Sequence, residues 1–176
     1  MIIREAMYDD VPDIARVHVD TWQKTYRGIM PDEYLRNLSY QKRENSWGQI
    51  FRKASEKGYF IYVAQDELGK VVGFANGGLE REGNLTYRGE LNAIYILKNY
   101  QRKGIGRCLF QTSVEKLHRT GIDSILVWVL AKNPACQFYE ALGGQRIDEK
   151  QIARGGTKLT EVAYGWLNTA SVINLT

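Results

Sequence analysis

The chain of 176 residues has little of what builds covalent or metal-held scaffolds: two cysteines (Cys108, Cys136) and two histidines (His18, His118). Both cysteines sit in apolar, helix-patterned surroundings and are expected as buried free thiols, so a disulfide framework is excluded. No metal is expected, and a core of this chain length needs none to hold it. No apolar run approaches membrane-spanning length, which excludes a helical membrane anchor. The start, Met1-Ile2-Ile3-Arg4-Glu5, meets charge at once and lacks a signal-peptide core, so the cytoplasm is the expected location. There is no internal repeat, low-complexity stretch or linker. Nor is there a basic stripe interleaved with aromatics, the footprint a nucleic-acid binder would leave.

What is present is ordinary for one soluble domain: 44% hydrophobic and 25% charged residues. The formal net charge of +4 fits a polyanionic ligand without naming one. The cations are not spread evenly. Lys98, Arg102, Lys103 and Arg107 gather at one turn, whereas the others alternate with acids. A small phosphorylated ligand is therefore preferred to nucleic acid.

The pattern predicts an α/β (α+β) chain. Ile2–Ala6 reads as a first strand, and Asp9 or Asp10 with Pro12 opens a helix that Gly28 stops. Pro31 to Lys57 is mainly helical with a break near Ser39. Strands follow at Tyr59–Gln65, Val71–Leu79 and Thr86–Leu97, the last two joined through Gly83-Asn84. A helix from Gly104 to near Gly121 carries Ile105, Cys108, Leu109, Val114 and Leu117 inward. Ser124–Leu130 is apolar throughout, as for a strand buried on both faces. A short helix runs from Pro134 to Leu142, and two strands, Gln145–Ile152 and Lys158–Leu167, flank Arg154-Gly155-Gly156. Residues 1–168 are expected as the domain and 169–176 as a C-terminal tail.

The most informative stretch joins the strand ending Ile94-Tyr95-Ile96 to Gln101-Arg102-Lys103-Gly104-Ile105-Gly106-Arg107. Such a turn offers a phosphate successive backbone N–H groups, the positive end of a helix and flanking cations. Gly104 and Gly106 remove the β-carbons that would bar its approach. A basic surface turn is the plainer alternative. A dinucleotide site fits less well, since Leu109 stands where a third glycine belongs.

These residues resemble the GNAT superfamily of acyl-CoA-dependent N-acetyltransferases. Gln101 to Gly106 matches its Q/R-x-x-G-x-G/A motif, and Asn133 to Gly143 its second signature, an asparagine followed by a helix bearing a tyrosine. The resemblance covers nearly the whole chain and implies a single domain with a mixed, twisted sheet, a V-shaped central splay and flanking helices. It implies acetyl-CoA as cosubstrate, with the pyrophosphate on residues 101–107. The pantetheine arm would lie along the backbone of Ile94, Tyr95 and Ile96 and against Asn133. Tyr139 holds the family's general-acid position, and a backbone N–H near Ile94 would face the developing oxyanion.

Glu90 is the candidate base, and period-two alternation sets it on one face with Asn92, Ile94 and Ile96; a solvated strand-edge glutamate is the plain alternative. Thr21 to Leu35 resembles a submotif of a bacterial branch that includes polyamine acetyltransferases. From it come Trp22, Tyr26 and Tyr34 as an aromatic lining and Glu33 as attraction for a cationic amine. Trp22 and Tyr26 also suit simple helix packing. Glu161 is a second acid for the acceptor pocket, whereas His18 and His118 are expected as packed or solvated residues away from the motif.

The expected reaction is acetyl transfer to a primary amine, that of a small molecule, by direct attack in a ternary complex. Cys136 has no visible His–carboxylate partner for an acyl-cysteine route. The alternatives are acetylation of a protein N-terminus or lysine, or a non-catalytic acyl-CoA-binding module. By analogy with the family a homodimer is possible, with Tyr164, Trp166 and the terminal segment as contributors.

Overall fold

The structure is a computed structural model and describes residues 1–54 and 59–173. The predicted helix end at Lys57 and the last three residues of the expected tail lie outside the described residues. In chain order the elements are β1 (Ile2–Glu5), α1 (Val11–Thr25), α2 (Asp32–Arg36), α3 (Tyr40–Ala54), β2 (Phe60–Gln65), β3 (Val71–Leu79) and β4 (Gly89–Ile96). There follow α4 (Ile105–Arg119), β5 (Ile125–Leu130), α5 (Ala135–Ala141), β6 (Gln145–Arg154), β7 (Thr157–Trp166) and α6 (Ala170–Ile173). The strands form one seven-stranded sheet in the order β1-β2-β3-β4-β5-β7-β6, antiparallel except for β4 against β5.

Each face of the sheet is covered by the helix whose apolar stripe fits it. In α1, Val11, Ile14, Ala15 and Val17 recur at helical spacing and pack with Trp47 of α3 against Ile61, Val63, Val71 and Phe74. On the other face α4 inserts Ile105, Leu109, Phe110, Val114 and Leu117 against Phe60, Ala64, Ala75 and Leu91. Cys108 departs from the expected inward set: it is exposed, because the stripe turns through Leu109 and Phe110 instead. A third cluster at the far end joins Tyr26, Met30 and Leu35 to Leu130 and Leu159. The residues expected to begin a tail do not hang free. Thr169 and Val172 are fully buried, and Val172 belongs to the α4 core.

The sheet is interrupted at its centre. β4 and β5 pair over three positions only, Gly89 with Ile125, Glu90 with Leu126 and Leu91 with Val127. At the same level the β3–β4 register slips: Gly77 faces Leu91, but Asn76 faces Ala93, so Asn92 is an extra residue in β4. Such a bulge bends its strand and increases local twist. Glycine is required opposite it, for a β-carbon on Gly77 would lie 2.3 Å from the Glu90 carbonyl oxygen.

The bulge also overturns the expected alternation. Leu91, Ile94 and Ile96 all meet the α4 core, whereas Ala93 and Tyr95 meet the α1 core. Glu90 therefore lies on the face opposite Ile94 and Ile96. Tyr164 and Trp166, expected as contributors to a dimer, are each 4% exposed and belong to the protein's own core.

Leu109 is fully buried between α4 and the sheet. Leu109→Ala is expected to lower the unfolding free energy by about 2–5 kcal/mol. Urea titration checks this, with a lower midpoint at an unchanged slope; a loss below about 1 kcal/mol would mean that the face repacks.

Candidate active site

Beyond Leu91 the two central strands part. Leu97 N–H returns to the Val72 carbonyl of β3. Strand alternation then turns the backbone groups of Ala93 and Tyr95 toward β3 as well, and those of Ile94 and Ile96 toward the gap. The Ile96 carbonyl takes a 2.9 Å hydrogen bond from the Gln101 side-chain amide, which ties the basic turn to the strand end. The gap opens into a cleft of about 1990 Å³ that crosses the molecule.

At one end of the cleft stands the N-terminus of α4. Its first backbone bond runs from Cys108 N–H to the Gly104 carbonyl, so Ile105, Gly106 and Arg107 present N–H groups with no partner inside the helix. Arg102 and Gly104 both adopt left-handed backbone conformations, with φ of 62° and 81°. At Gly106 a β-carbon would sit 3.2 Å from Ile96 Cδ1 and 3.3 Å from the Phe138 ring, so the glycine keeps the cleft floor low. Arg102, Lys103 and Arg107 are exposed around it. Unpaired strand backbone, free helix N–H groups and cations fit an extended thiol cofactor bearing a pyrophosphate.

The centre is aromatic. Tyr139 of α5 is 4% exposed and packs beside Phe138, Tyr164 and Trp166. Burial pushes its phenol pKa well above the ordinary value, with the Tyr95 and Cys136 side chains adding to the shift, so it is protonated at neutral pH. Among the described residues no hydrogen bond reaches its hydroxyl, although it borders the cleft. Asn133 starts α5 by accepting the Ala135 N–H at 2.9 Å, and its Nδ2 donates to the Tyr26 hydroxyl at 3.3 Å. Tyr26 is thereby held at the junction of α1 with α5. Burial also raises the Cys136 thiol pKa, which opposes thiolate formation there.

Glu90 is 3% exposed and is gripped at both carboxylate oxygens by Arg81, at 2.9 and 2.6 Å. The cleft wall around it includes Trp128, Lys150 and Glu161. Lys150 lies 3.9 Å above the Trp128 ring and pairs with Glu82, whereas Glu161 has no ion-pair partner among the described residues. Burial raises the Glu161 carboxyl pKa, opposed by Lys150 and Arg154. Trp22, Tyr26 and Tyr34 also line the cleft, and the β6–β7 tip closes on Tyr34, 2.9 Å from where a Gly155 β-carbon would lie.

Glu33 is not brought in: it is exposed on α2, outside the cleft lining. The helix turns Tyr34 and Leu35 inward and leaves Glu33 facing solvent. Conversely, Arg81, Asn76, Arg43 and His18 line the cleft without having been singled out as site residues. Asn76 had a signal, a lone amide inside the apolar run Val71–Leu79, and so did His18, a polar residue on the buried stripe of α1. Arg81 had none, because its partner is fixed by a loop that carries no pattern.

Comparison with known proteins agrees with this geometry. Residues 17–144 match the model of the acetyltransferase (GNAT) family. The chain belongs to the GNAT family and is an N-acetyltransferase. It is 42% identical over 173 residues to the uncharacterized N-acetyltransferase YuaI of Bacillus subtilis, covering 98% of this chain and 96% of that one. Two relatives are more distant. The spermidine N(1)-acetyltransferase of Thermoplasma acidophilum is 21% identical, over 84% of this chain and 89% of its own. An L-methionine sulfoximine/L-methionine sulfone acetyltransferase of Pseudomonas aeruginosa is 28% identical, over 76% and 73%. In fold the chain is similar to the PaiA N-acetyltransferase of Thermoplasma acidophilum solved with coenzyme A, with a TM-score of 0.73 and 22% identity over 91% of this chain and 96% of that one. No helix among the described residues is long and apolar enough to cross a membrane.

His18 is packed among Trp22, Trp47, Phe74 and Tyr95, and burial lowers its pKa from 6.5 to about 3. Between those values the unfolded chain binds the extra proton, so the stability held above pH 6.5 is lost as pH falls toward 3. This predicts a loss of roughly 2 kcal/mol from pH 7 to pH 5 that His18→Gln abolishes. Urea unfolding at both pH values checks it, and equal pH dependence in the two proteins would contradict the assignment.

Proposed function

We propose that the protein transfers the acetyl group of acetyl-CoA to the primary amine of a small molecule, by direct attack within a ternary complex. The observation that carries this reading is the continuity of the cleft. It runs from the free N–H groups of α4, along the gap-facing backbone of Ile94 and Ile96 and past the Tyr139 hydroxyl, into an aromatic chamber lined by carboxylates. Small amines, a polyamine and an amino-acid derivative, also figure in the names of the two distant relatives.

Bound acetyl-CoA supplies a thioester whose C–S bond breaks as the new C–N bond forms. Gly104, Ile105, Gly106 and Arg107 receive the pyrophosphate with Gln101, Arg102 and Lys103 around it. Ile94, Tyr95, Ile96 and Asn133 hold the pantetheine arm, and the Ile94 N–H stabilises the charge growing on the carbonyl oxygen. Glu90 takes the amine proton, directly or through a water, and Arg81 holds that carboxylate in place through both of its oxygens. Tyr139 gives its proton to the departing sulfur. Because burial makes its phenolate costly, the phenol gives up that proton only as charge develops on the sulfur and regains one promptly afterwards.

Coverage of the chamber by the β6–β7 tip and Tyr34 favours a small acceptor over a protein chain. A screen of small amines and peptides for CoA release tests the class; turnover of peptides alone would reverse that preference. Tyr139→Phe is expected to reduce kcat on the order of a hundredfold while leaving acetyl-CoA affinity within about twofold. Full turnover in that variant would remove Tyr139 from the acid role. Gly104→Asp sets a carboxylate at the phosphate turn on a residue with φ of 81°. It should weaken acetyl-CoA by about tenfold or more in calorimetric titration, and unchanged affinity would remove the pyrophosphate from that turn.

A further inference from the structure

The acceptor chamber has two chemically different walls. On the α1–α3 side the charged residues lining it are Lys24, Arg27, Arg43 and Lys53, all cationic. The carboxylates of the lining, Glu82, Glu90 and Glu161, stand on or beside the sheet. Two of these are already neutralised, Glu82 by Lys150 and Glu90 by Arg81. Among the described residues Glu161 has no ion-pair partner, and neither has Arg43, whose guanidinium lies over Trp22 with its carbon 5.7 Å from the ring centroid. Burial raises the Tyr95 phenol pKa, and both uncompensated charges act on the same hydroxyl, Arg43 favouring its ionised form and Glu161 opposing it.

Unpartnered polar groups also line the cleft. Among the described residues, His18 Nε2 and Thr21 Oγ1 of α1 and the Asn76 side-chain oxygen of β3 have no hydrogen-bond partner, and their residues are 8%, 5% and 6% exposed. Buried polar atoms are rarely left so, and three around one cleft require an explanation. The proton on His18 can be placed. Trp47 Nε1–H donates to His18 Nδ1 at 3.2 Å, so Nδ1 offers a lone pair and the neutral ring carries its hydrogen on Nε2. Nε2–H is therefore a donor without an acceptor. The Trp22 indole N–H falls short of a full hydrogen bond to the Tyr95 hydroxyl and is a second. Two such donors beneath an unpaired guanidinium ask for an anionic oxygen group. An amine lacking an anion would leave all three unsatisfied and bring its charge toward Arg43.

We propose that the acceptor is a zwitterion of the amino-acid class, its carboxylate or equivalent oxyanion received by Arg43, His18 Nε2–H and Trp22 Nε1–H, and its amino group drawn to Glu161. This rests on the acetyl-transfer reading of the same cleft and specifies what that reading leaves open. It also assigns the amine's attraction to Glu161 in place of Glu33, which lies outside the cleft lining.

The test compares CoA release by the full chain for matched acceptors: methionine and leucine, their amides, the corresponding amines lacking the carboxylate, and spermidine. The amino acids should show kcat/KM at least about tenfold above their carboxylate-free partners, through a lower KM. In Arg43→Gln that ratio should collapse toward one, while Arg43→Lys retains part of it. Equal or better turnover of the carboxylate-free amines or of spermidine, or an unchanged ratio in Arg43→Gln, overturns the subsite. Should no acceptor release CoA, the acetyl-transfer reading falls on its own. Calorimetric titration of methionine onto the CoA-bound protein then decides the subsite: binding that Arg43→Gln weakens supports it, and absence of binding overturns it.

Discussion

The structure depends on an unfinished strand pair. Three residue pairs join β4 to β5, and the ladder then stops because Asn92 adds a residue to β4 and bends it away. Had the ladder continued, the backbone groups of Ile94 and Ile96 would be spent on β5, and no cleft would cross the sheet. The Ile96 carbonyl takes the Gln101 amide instead, and the cost of leaving the others without β5 is modest only where water or a ligand can reach them. The same bulge exchanges the faces of the strand. Glu90 thus lines the cleft on the α1 side of the sheet while Ile94 and Ile96, four and six residues later, anchor the α4 core.

The parts of this design that are local were legible in the sequence. The basic turn from Gln101 to Arg107 declares itself because its glycines, its cations and the helix it opens are neighbours in the chain. The order of strands and helices follows from periodicity, and the apolar Ile125–Leu130 run announces a strand buried on both faces. Tyr139 and Asn133 stand out only through family resemblance; both line the cleft.

What stayed illegible depends on distant partners. A strict two-residue period places Glu90 beside Ile94, and only the register against β3, set where Gly77 lets the Glu90 carbonyl approach, reveals the shift. Arg81 gains meaning from a partner nine residues on, across an irregular loop. His18 reads as a packed histidine and is one, yet the ring nitrogen left over after Trp47 is served acquires its chemistry from α3. Cys108 was misplaced by a single position on a helical stripe.

An interior gap between strands has a further consequence. Exposed strand edges are templates for pairing with other chains, and native sheets blunt them with charge, proline or twist. Here the unpaired edge of β4 is enclosed by the sheet that it interrupts. β5 closes the wedge at Leu91, so an invading strand finds room for only a few residues before the walls meet. A thin, flexible arm fits where a pleated backbone does not. The narrowing angle thus serves as protection against association, and the molecule keeps a set of reactive backbone groups available without offering them to its neighbours.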